Sequence, residues 1–570
     1  MGLYLLDYGA GNVQSLANSL TSLGHSFTWI SSPDDFQRAT VISRFSRCRG
    51  FETAVQHLAS RGLLQPLREY ILSGKPYFGV CIGMQVLFQS SSESSSEGLG
   101  IIPCPIERLD DTDKAVPHMG WNTADLACPD DPEQVADSLY YYFVHSYCAK
   151  YDPHKYPDAA QWAYTTTQYG QELFISSVRK ANVFGTQFHP EKSGAAGLRL
   201  IDAWLRKPES AHTSSPGAIS AHASSSPRVL VPKPQHRLTK RIVACMDVRA
   251  NDDGDLVVTK GDQYDVREKT PTSTASTVAA TTGGAVRNLG KPVALASQYY
   301  LAGADELCLL NITSFRHSPL RDQPMIAVVR TAAERVFVPL TIGGGIKDTI
   351  DPDGTKHPAL EVAGAYFRAG ADKVSIGSEA VLAVEKMLAS EKNEGDGTSA
   401  IETIAYAYGR QAVVVSVDPR RVYVDPETYD GPYKGEVIRG RPDSKVIEER
   451  GKAWWYQCTV SGGRESRPLS VVQLAKGVER LGAGELLVNS IDRDGTGLGF
   501  DLDLIRLVKS NVRIPVIASS GAGAAEHFCQ VFEETGVEAA LAAGIFHRGE
   551  VGIEDVKKCL NDNEIRVRLG

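Results

Sequence analysis

The sequence predicts an α/β protein in two parts, an open α/β domain followed by a (β/α)8 barrel of two half-barrel repeats. Three observations carry this. First, an apolar strand pattern ending in one carboxylate occurs twice: RIVACMDV (Arg241–Val248) with Asp247, and QAVVVSVD (Gln411–Asp418) with Asp418. Second, the segments that follow each of these repeat in the same order. AGADELCLLNI (Ala302–Ile312) answers LGAGELLVNSI (Leu481–Ile491), which sets Glu306 in register with Glu485. VPLTIGGGI (Val338–Ile346) answers IPVIASSGAG (Ile514–Gly523), and GADKVSIGS (Gly370–Ser378) is matched more loosely by GVEAALAAGIF (Gly536–Phe546). Eight strand units in two sets of four are the pattern of a barrel built from duplicated halves. Third, YLLDYGAGNVQSLANSLTSLG (Tyr4–Gly24) reads strand, turn, helix, the start of an open α/β sheet.

The chain of 570 residues is too long for one domain and divides into 1–205, a solvated linker 206–236 rich in Ser, Pro, His and Ala, and 237–570. A hydrophobic content of 42% suits ordinary globular cores. The net charge of −8, with mixed signs, leaves no basic footprint for nucleic acid. No apolar run approaches the ~18 residues of a membrane span. Gly2 is present, but Leu6 stands where a myristoylation motif needs Ser or Thr. The ten Cys show no paired CxxC spacing, against a zinc site or a disulfide framework. These features predict a cytoplasmic protein with no metal site; no cofactor, small-molecule substrates and a monomeric form are further expectations, which rest on the resemblance given below.

Within 1–205 the informative stretch is KPYFGVCIGMQVLF (Lys75–Phe88). Gly79 and Gly83 permit a tight strand-to-helix turn that presents Cys81 as a nucleophile, by the logic of the nucleophile elbow with sulfur in place of oxygen. The following helix N-terminus favours the thiolate. In GTQFHPEKSG (Gly185–Gly194), His189 and Glu191 lie two apart on what reads as an extended segment, so they point to one face. A thiol, a base and an orienting carboxylate make a Cys-His-Glu triad. GVCIGMQ with FHPE resembles the class I glutamine amidotransferases. That resemblance covers the whole of 1–205 and implies glutamine binding by Gln85 and by His145, Ser146 and Tyr147 of YYYFVHSY (Tyr140–Tyr147).

One stretch departs from that family. A PGVG-type loop, whose backbone NH groups help form the oxyanion hole, belongs where this chain has VISRFSRCRGFETAV (Val41–Val55). Back-translation of Phe45–Gly50 can be shifted by one base to encode Phe-Pro-Gly-Val-Gly, so the Arg-rich run is read as a local frame error. Taken as it stands, the run predicts unpaired charge on a core strand and a crippled glutaminase.

In the barrel, Asp247 and Asp418 end the first and fifth strands and face each other across the mouth, placed as general acid and general base. TIGGGI (Thr341–Ile346), with Gly344 and Gly345, and ASSGAG (Ala518–Gly523), with Ser519 and Gly521, end the third and seventh strands. Each offers free backbone NH groups to an anion, backed by Ser378 and Gly544 respectively. Two such loops at half-barrel symmetry ask for a substrate with a phosphate at each end. Lys260 in the long first loop is a candidate phosphate or catalytic cation. Residues 271–285 form a low-complexity insertion, and Tyr423–Trp454 a polar insertion expected to be surface decoration.

Asp247, Lys260, Asp372 with Lys373, Asp418 and NSIDRDGTG (Asn489–Gly497) resemble the cyclase barrel of histidine biosynthesis more than its sister isomerase, with Gly377 and Ser520 as small departures. Joined to a glutaminase on one chain, they resemble the fungal-type bifunctional imidazole glycerol phosphate synthases. The resemblance implies that glutamine is hydrolysed through a Cys81 thioester and that ammonia passes to the barrel. There PRFAR becomes imidazole glycerol phosphate and AICAR. It further implies substrate contacts at Asn489, Asp494 and Gly495, and an ammonia gate of Arg241, Glu306, Lys373 and Glu485 at the N-terminal face of the barrel. Two rival readings are an isomerase barrel with a non-catalytic partner domain, and an ammonia-dependent cyclase whose first domain is an inactive scaffold.

Overall fold

The computed structural model describes the chain outside residues 1, 7–11, 40, 47–49, 128–138, 216–217, 221–226, 251–255, 260–289, 313–323, 352, 443, 445 and 570, with the backbone alone at 41–46, 209, 220 and 250. Lys260 and the low-complexity run 271–285 lie outside the described residues.

The N-terminal sheet runs in the order Thr28–Ile30, Leu3–Leu6, Val41–Ser46, Tyr77–Cys81, Val183–Thr186, Glu172–Lys180, Ala163–Tyr169, Asp125–Leu126. The first five strands are parallel and the remaining pairings antiparallel. Period-two alternation explains why the parallel part sits in the middle of the domain. Leu3, Leu5, Phe78 and Val80 bury against one layer, while Leu6 and Tyr77 bury against the other. A parallel sheet needs both faces covered, and these strands are apolar on both. The Arg-rich segment takes the core-strand place that the sequence reading gives it. Val41–Ser46 forms the missing core strand, pairing Leu6 with Arg44 on one side and Arg44 with Gly79 on the other. Backbone hydrogen bonds to two neighbours hold it in the sheet whatever its side chains contribute. Residues 47–49 of the oxyanion segment lie outside the described residues.

The second domain is a closed barrel of eight parallel strands: Arg241–Ala250, Glu306–Asn311, Leu340–Gly343, Lys373–Ile376, Val413–Val417, Glu485–Asn489, Val516–Ser519 and Ala539–Ala542. The eighth pairs with the first, Arg241 opposite Ala539, and closes the ring. The half-barrel repeat holds down to single hydrogen bonds. Leu307 N donates to Pro339 O at 2.9 Å, and Leu486 N donates to Pro515 O at 3.0 Å. Inward residues Val243, Cys245, Cys308, Val414, Leu487, Ile517, Ala539 and Leu541 fill the lumen, so the barrel is packed rather than open. The helix Val471–Leu481 illustrates how the outer layer is specified. A Ser470/Gln473 capping box starts it, and Gly482 at φ 110° stops it. Val471, Leu474, Ala475, Val478 and Leu481 form its buried stripe.

Two expectations need correction. The linker is not free in solvent throughout: Gln168 brackets Lys233 with two hydrogen bonds of 2.7 Å, and the Tyr151 hydroxyl donates to Arg228 O at 2.6 Å. The insertion Tyr423–Trp454 is not mere decoration either. Its flanks, Pro419–Val424 and Ala453–Val460, pair antiparallel in a small sheet over the barrel mouth. Trp454 and Tyr456 there are fully buried.

Candidate active site

Cys81 ends its strand with φ 51° and ψ −112°, a conformation that L-residues adopt only when their surroundings impose it. The cause is the close approach of the helix Ile82–Gln85, because a Cβ at Gly79 would sit 2.5 Å from Gly83 O. The sharp turn aims the thiol into a cavity of about 230 Å³. Gln187 Nε2 reaches the sulfur at 3.6 Å. His189 Nδ1 meets Glu191 Oε1 at 2.8 Å, both side chains buried. Since the carboxylate accepts, Nδ1 carries the hydrogen and Nε2 presents its lone pair. That Nε2 has no hydrogen-bond partner among the described residues. The segment is not extended as expected: Pro190–Lys192 is a 3-10 turn, and the contact closes across it.

The expected glutamine-side residues converge. Gln85, His145, Ser146 and Tyr147 line the Cys81 cavity. Gln85 Nε2 is held by Tyr147 O at 2.9 Å and Gln187 Oε1 at 3.0 Å. Ser146 Oγ is buried with no partner among the described residues. His145 belongs to a chain whose tautomers follow from the acceptors. Its Nδ1 faces Tyr147 O at 3.0 Å and must donate, so its Nε2 accepts from His118 Nδ1 at 3.1 Å. His118 Nε2 in turn accepts from Asn122 Nδ2 at 3.2 Å. Each imidazole carries one proton and is neutral, in keeping with burial, which pushes His145 down to about 3.

Sequence reasoning missed that this cavity is walled by both domains. Glu93 and Arg108 line it from the first, and Gly409, Arg410 and Gln411 line it from the loop entering the fifth barrel strand. No local pattern marks residues that meet only through domain packing. The same packing makes a buried clamp. Asn12 Nδ2 donates to Gly370 O at 2.8 Å and Asp372 Oδ1 at 2.7 Å, and Lys192 Nζ pairs with Asp372 Oδ2 at 2.8 Å.

At the N-terminal face of the barrel the four expected gate residues form a closed ring. Arg241 pairs with Glu306 at 2.8 Å and with Glu485, while Lys373 pairs with Glu306 and Glu485 at 2.6 Å each. All four are essentially without exposure. Burial opposes charging Glu306 and Lys373, yet Glu306 is held below and Lys373 above its ordinary value by the opposite charges alongside. Lys373 Nζ also lies 3.6 Å from Met119 Sδ of the first domain, so the ring is the barrel's floor against the glutaminase fold. Breaking a buried pair from one side costs about 3–5 kcal/mol. Lys373→Met therefore lowers the unfolding free energy by that order in urea titrations, and a change under about 1 kcal/mol contradicts the pairing.

At the opposite face, Asp418 Oδ1 accepts from Asn489 Nδ2 at 2.8 Å, and Asn489 also reaches Ser416 Oγ at 2.9 Å. Desolvation raises the Asp418 carboxyl, the nearby Asp494 charge adds to this, and the Asn489 amide works against it. Asp247 stands across from Leu310 on the first strand, and the strand continues past it to Ala250. Asp494 and Gly495 sit in a turn where Asp494 N donates to Ser490 O at 3.0 Å. In the glycine loops, a Cβ at Gly344 would lie 2.1 Å from Asn311 O, and one at Gly521 2.2 Å from Gly499 O. Only glycine fits either place. Gly345, at φ 80°, continues the first loop, and Ser519 ends the strand that leads into the second. Ser378 and Gly544 each open a helix behind these loops. The Ser378 hydroxyl accepts from Ser461 N at 2.9 Å, so a ligand there shares it with the insertion sheet.

Ser520 holds φ 73°, the left-handed region, in the second glycine loop. That region costs an L-residue about 1–2 kcal/mol, and the extra unfolded-state freedom of glycine takes back about 0.4–1. Ser520→Gly is expected to stabilise the chain by about 0.5–1 kcal/mol, read as a higher urea midpoint. A lower midpoint would show that the hydroxyl outweighs the backbone.

Comparison with known proteins agrees with this geometry. Residues 241–552 match the family described as "Histidine biosynthesis protein", and residues 4–206 match "Glutamine amidotransferase class-I". The chain is 49% identical over 579 residues to "Imidazole glycerol phosphate synthase hisHF" of Emericella nidulans, covering 99% of this chain and 98% of that protein. It is 49% identical over 569 residues to the protein of the same name from Schizosaccharomyces pombe, covering 99% of each. With "Imidazole glycerol phosphate synthase hisHF, chloroplastic" of Arabidopsis thaliana it shares 48% over 568 residues, 99% of this chain and 89% of that one. A paired glutaminase fold and cyclase-type barrel, matched along nearly its whole length, place this chain in the imidazole glycerol phosphate synthase hisHF family.

Proposed function

We propose that this chain is a glutamine-dependent imidazole glycerol phosphate synthase, hydrolysing glutamine at Cys81 and using the ammonia in the barrel to convert PRFAR to imidazole glycerol phosphate and AICAR. The observation that carries the proposal is the shared wall of the Cys81 cavity. Ammonia formed there is released against Arg410 and Gln411, at the N-terminal end of the barrel strands. In bulk water it would be protonated and lose its nucleophilic lone pair, so release at an interface has a chemical purpose.

The steps follow from the side chains. His189 Nε2 takes the Cys81 proton while Glu191 holds Nδ1, and the thiolate attacks the glutamine amide carbon. The same proton leaves with the ammonia, and water hydrolyses the thioester to glutamate. Ammonia passes the ring of Arg241, Glu306, Lys373 and Glu485, whose alternating charges can part and re-pair without leaving a lone ion. At the mouth, glycine loops at Gly344–Gly345 and Ser519–Gly521 hold the two phosphates, with Ser378, Asn489, Asp494, Gly495 and Gly544 around the substrate, and Lys260 is assigned the role of a phosphate or catalytic cation. Asp247 and Asp418 move the protons of ring closure. A raised Asp418 carboxyl holds its proton more readily than an ordinary carboxylate, which suits transfer in either direction. Both substrates are small molecules, and we take the working form to be a monomer in the cytoplasm, where reducing conditions keep a thiol nucleophile competent.

The test supplies purified chain with PRFAR and either glutamine or ammonium, and reads AICAR. Turnover with both nitrogen sources supports the proposal. Turnover with ammonium alone favours the scaffold reading of the first domain, and no AICAR with either excludes the cyclase.

A further inference from the structure

The insertion after the fifth barrel strand carries a buried charge that the steps above leave unused. Glu449 Oε1 contacts Arg421 Nη1 and Arg493 Nη2, each at 2.6 Å. Ser444 Oγ donates to its other oxygen at 2.8 Å. Asp501 completes the cluster, pairing with Arg421 Nη2 at 2.7 Å and accepting from Tyr456 OH at 2.9 Å and Ser490 Oγ at 3.1 Å. The Arg421 guanidinium lies 4.3 Å from the Trp454 ring centre. All four charged residues are buried, at 9% exposure or less.

Its place in the fold is what matters. Arg421 follows Asp418 by three residues, and its backbone N donates to Asp492 Oδ2 at 2.9 Å. Arg493 immediately precedes Asp494, the charge that faces Asp418. Arg493 also packs on the second glycine loop, where a Cβ at Gly521 would lie 3.1 Å from its own Cβ. The cluster therefore ties together the two loops that carry Asp418 and Asp494, and it rests against the loop expected to hold a phosphate. We propose that Glu449 is a positioning residue for cyclisation, fixing the Asp494 turn through Arg493 and the Asp418 loop through Arg421. This inference rests on the cyclase reading above.

Charge balance makes Glu449 the deciding member. Two guanidiniums meet two carboxylates, but Arg493 has no other carboxylate partner among the described residues. The Nε atoms of both arginines also lack hydrogen-bond partners there. Without the Glu449 charge, Arg493 is a buried cation with nothing opposite it, and relief lies in turning outward. That motion takes Asp494 with it. The bland reading is an ion cluster that only stabilises the insertion. The two differ in what they predict for rate per folded molecule.

The experiment measures ammonium-driven AICAR formation from PRFAR by the full chain, with thermal unfolding of each variant in parallel. Glu449→Gln is expected to lower kcat at least about 10-fold with KM changed less than about threefold, because misplacement of a reacting group by about 1 Å can cost ~10²-fold. Glu449→Asp, which keeps the charge, should recover most of that loss. A Glu449→Gln kcat within about twofold of wild type, or a loss that vanishes on normalising to folded protein, overturns the inference. Should Glu449→Gln not fold, Arg493→Lys decides: a reduced kcat at unchanged unfolding temperature supports it, and a wild-type kcat overturns it. Wild-type chain inactive with ammonium would be a failure of the cyclase reading instead.

Discussion

Asp418→Asn loses about 10²–10⁴-fold in ammonium-driven cyclisation, the range that one general acid–base group contributes. The substitution is nearly isosteric, and the new amide can still meet Asn489 Nδ2 with its oxygen, as the carboxylate does at 2.8 Å. What it removes is the exchangeable proton. The phosphates are held elsewhere, at loops shaped by Gly344 and Gly521, so KM for PRFAR should move little while kcat falls. Asp247→Asn is expected to fall in the same range, because ring closure needs a proton taken and a proton given. A rate within tenfold of wild type in either variant removes that residue from the mechanism.

Cys81→Ala abolishes glutamine-dependent turnover and spares turnover driven by ammonium. No other group can replace the thiolate, because Gln187 beside it carries no nucleophile and His189 Nε2 is a base whose proton source has gone. The barrel keeps its floor of paired charges and both carboxylates, so external ammonia meets an intact site. Loss of both activities would mean that the domains cannot divide the reaction between them. Loss of neither would place the amide chemistry at some other residue.

The barrel is legible in the sequence because its signals are local and doubled. Glu306 and Glu485 each open a strand, and Pro339 and Pro515 each precede one, so the echo survives even where side chains differ. The Cys81 turn is legible for a similar reason, since Gly79 and Gly83 lie within the same few residues. The His189–Glu191 contact is foreseen, but not its route, because Pro190 starts a turn where alternation suggests a strand. What the sequence hides is produced by distance. Arg410 and Gln411 reach the glutaminase cavity only when the domains pack. Glu449 and Arg493 look like solvent-facing charges in polar stretches, and become interior only when the insertion folds back and both pair around Arg421, whose guanidinium lies against Trp454. The Arg-rich stretch is a case of backbone pairing overriding composition. Its charged composition is unusual for a core strand, yet neighbouring strands supply the backbone partners that hold Val41–Ser46 in the place the sequence reading gives it.

The central claim is that one chain makes its own ammonia and uses it. The measurement that tests it most directly follows glutamate and AICAR together, with PRFAR present and glutamine as the sole nitrogen source. The account predicts that both appear in a one-to-one ratio, and that glutamate release falls sharply when PRFAR is withheld. AICAR formation that requires added ammonium, with no glutamate released, would contradict it and would make the segment at 41–50 the reason.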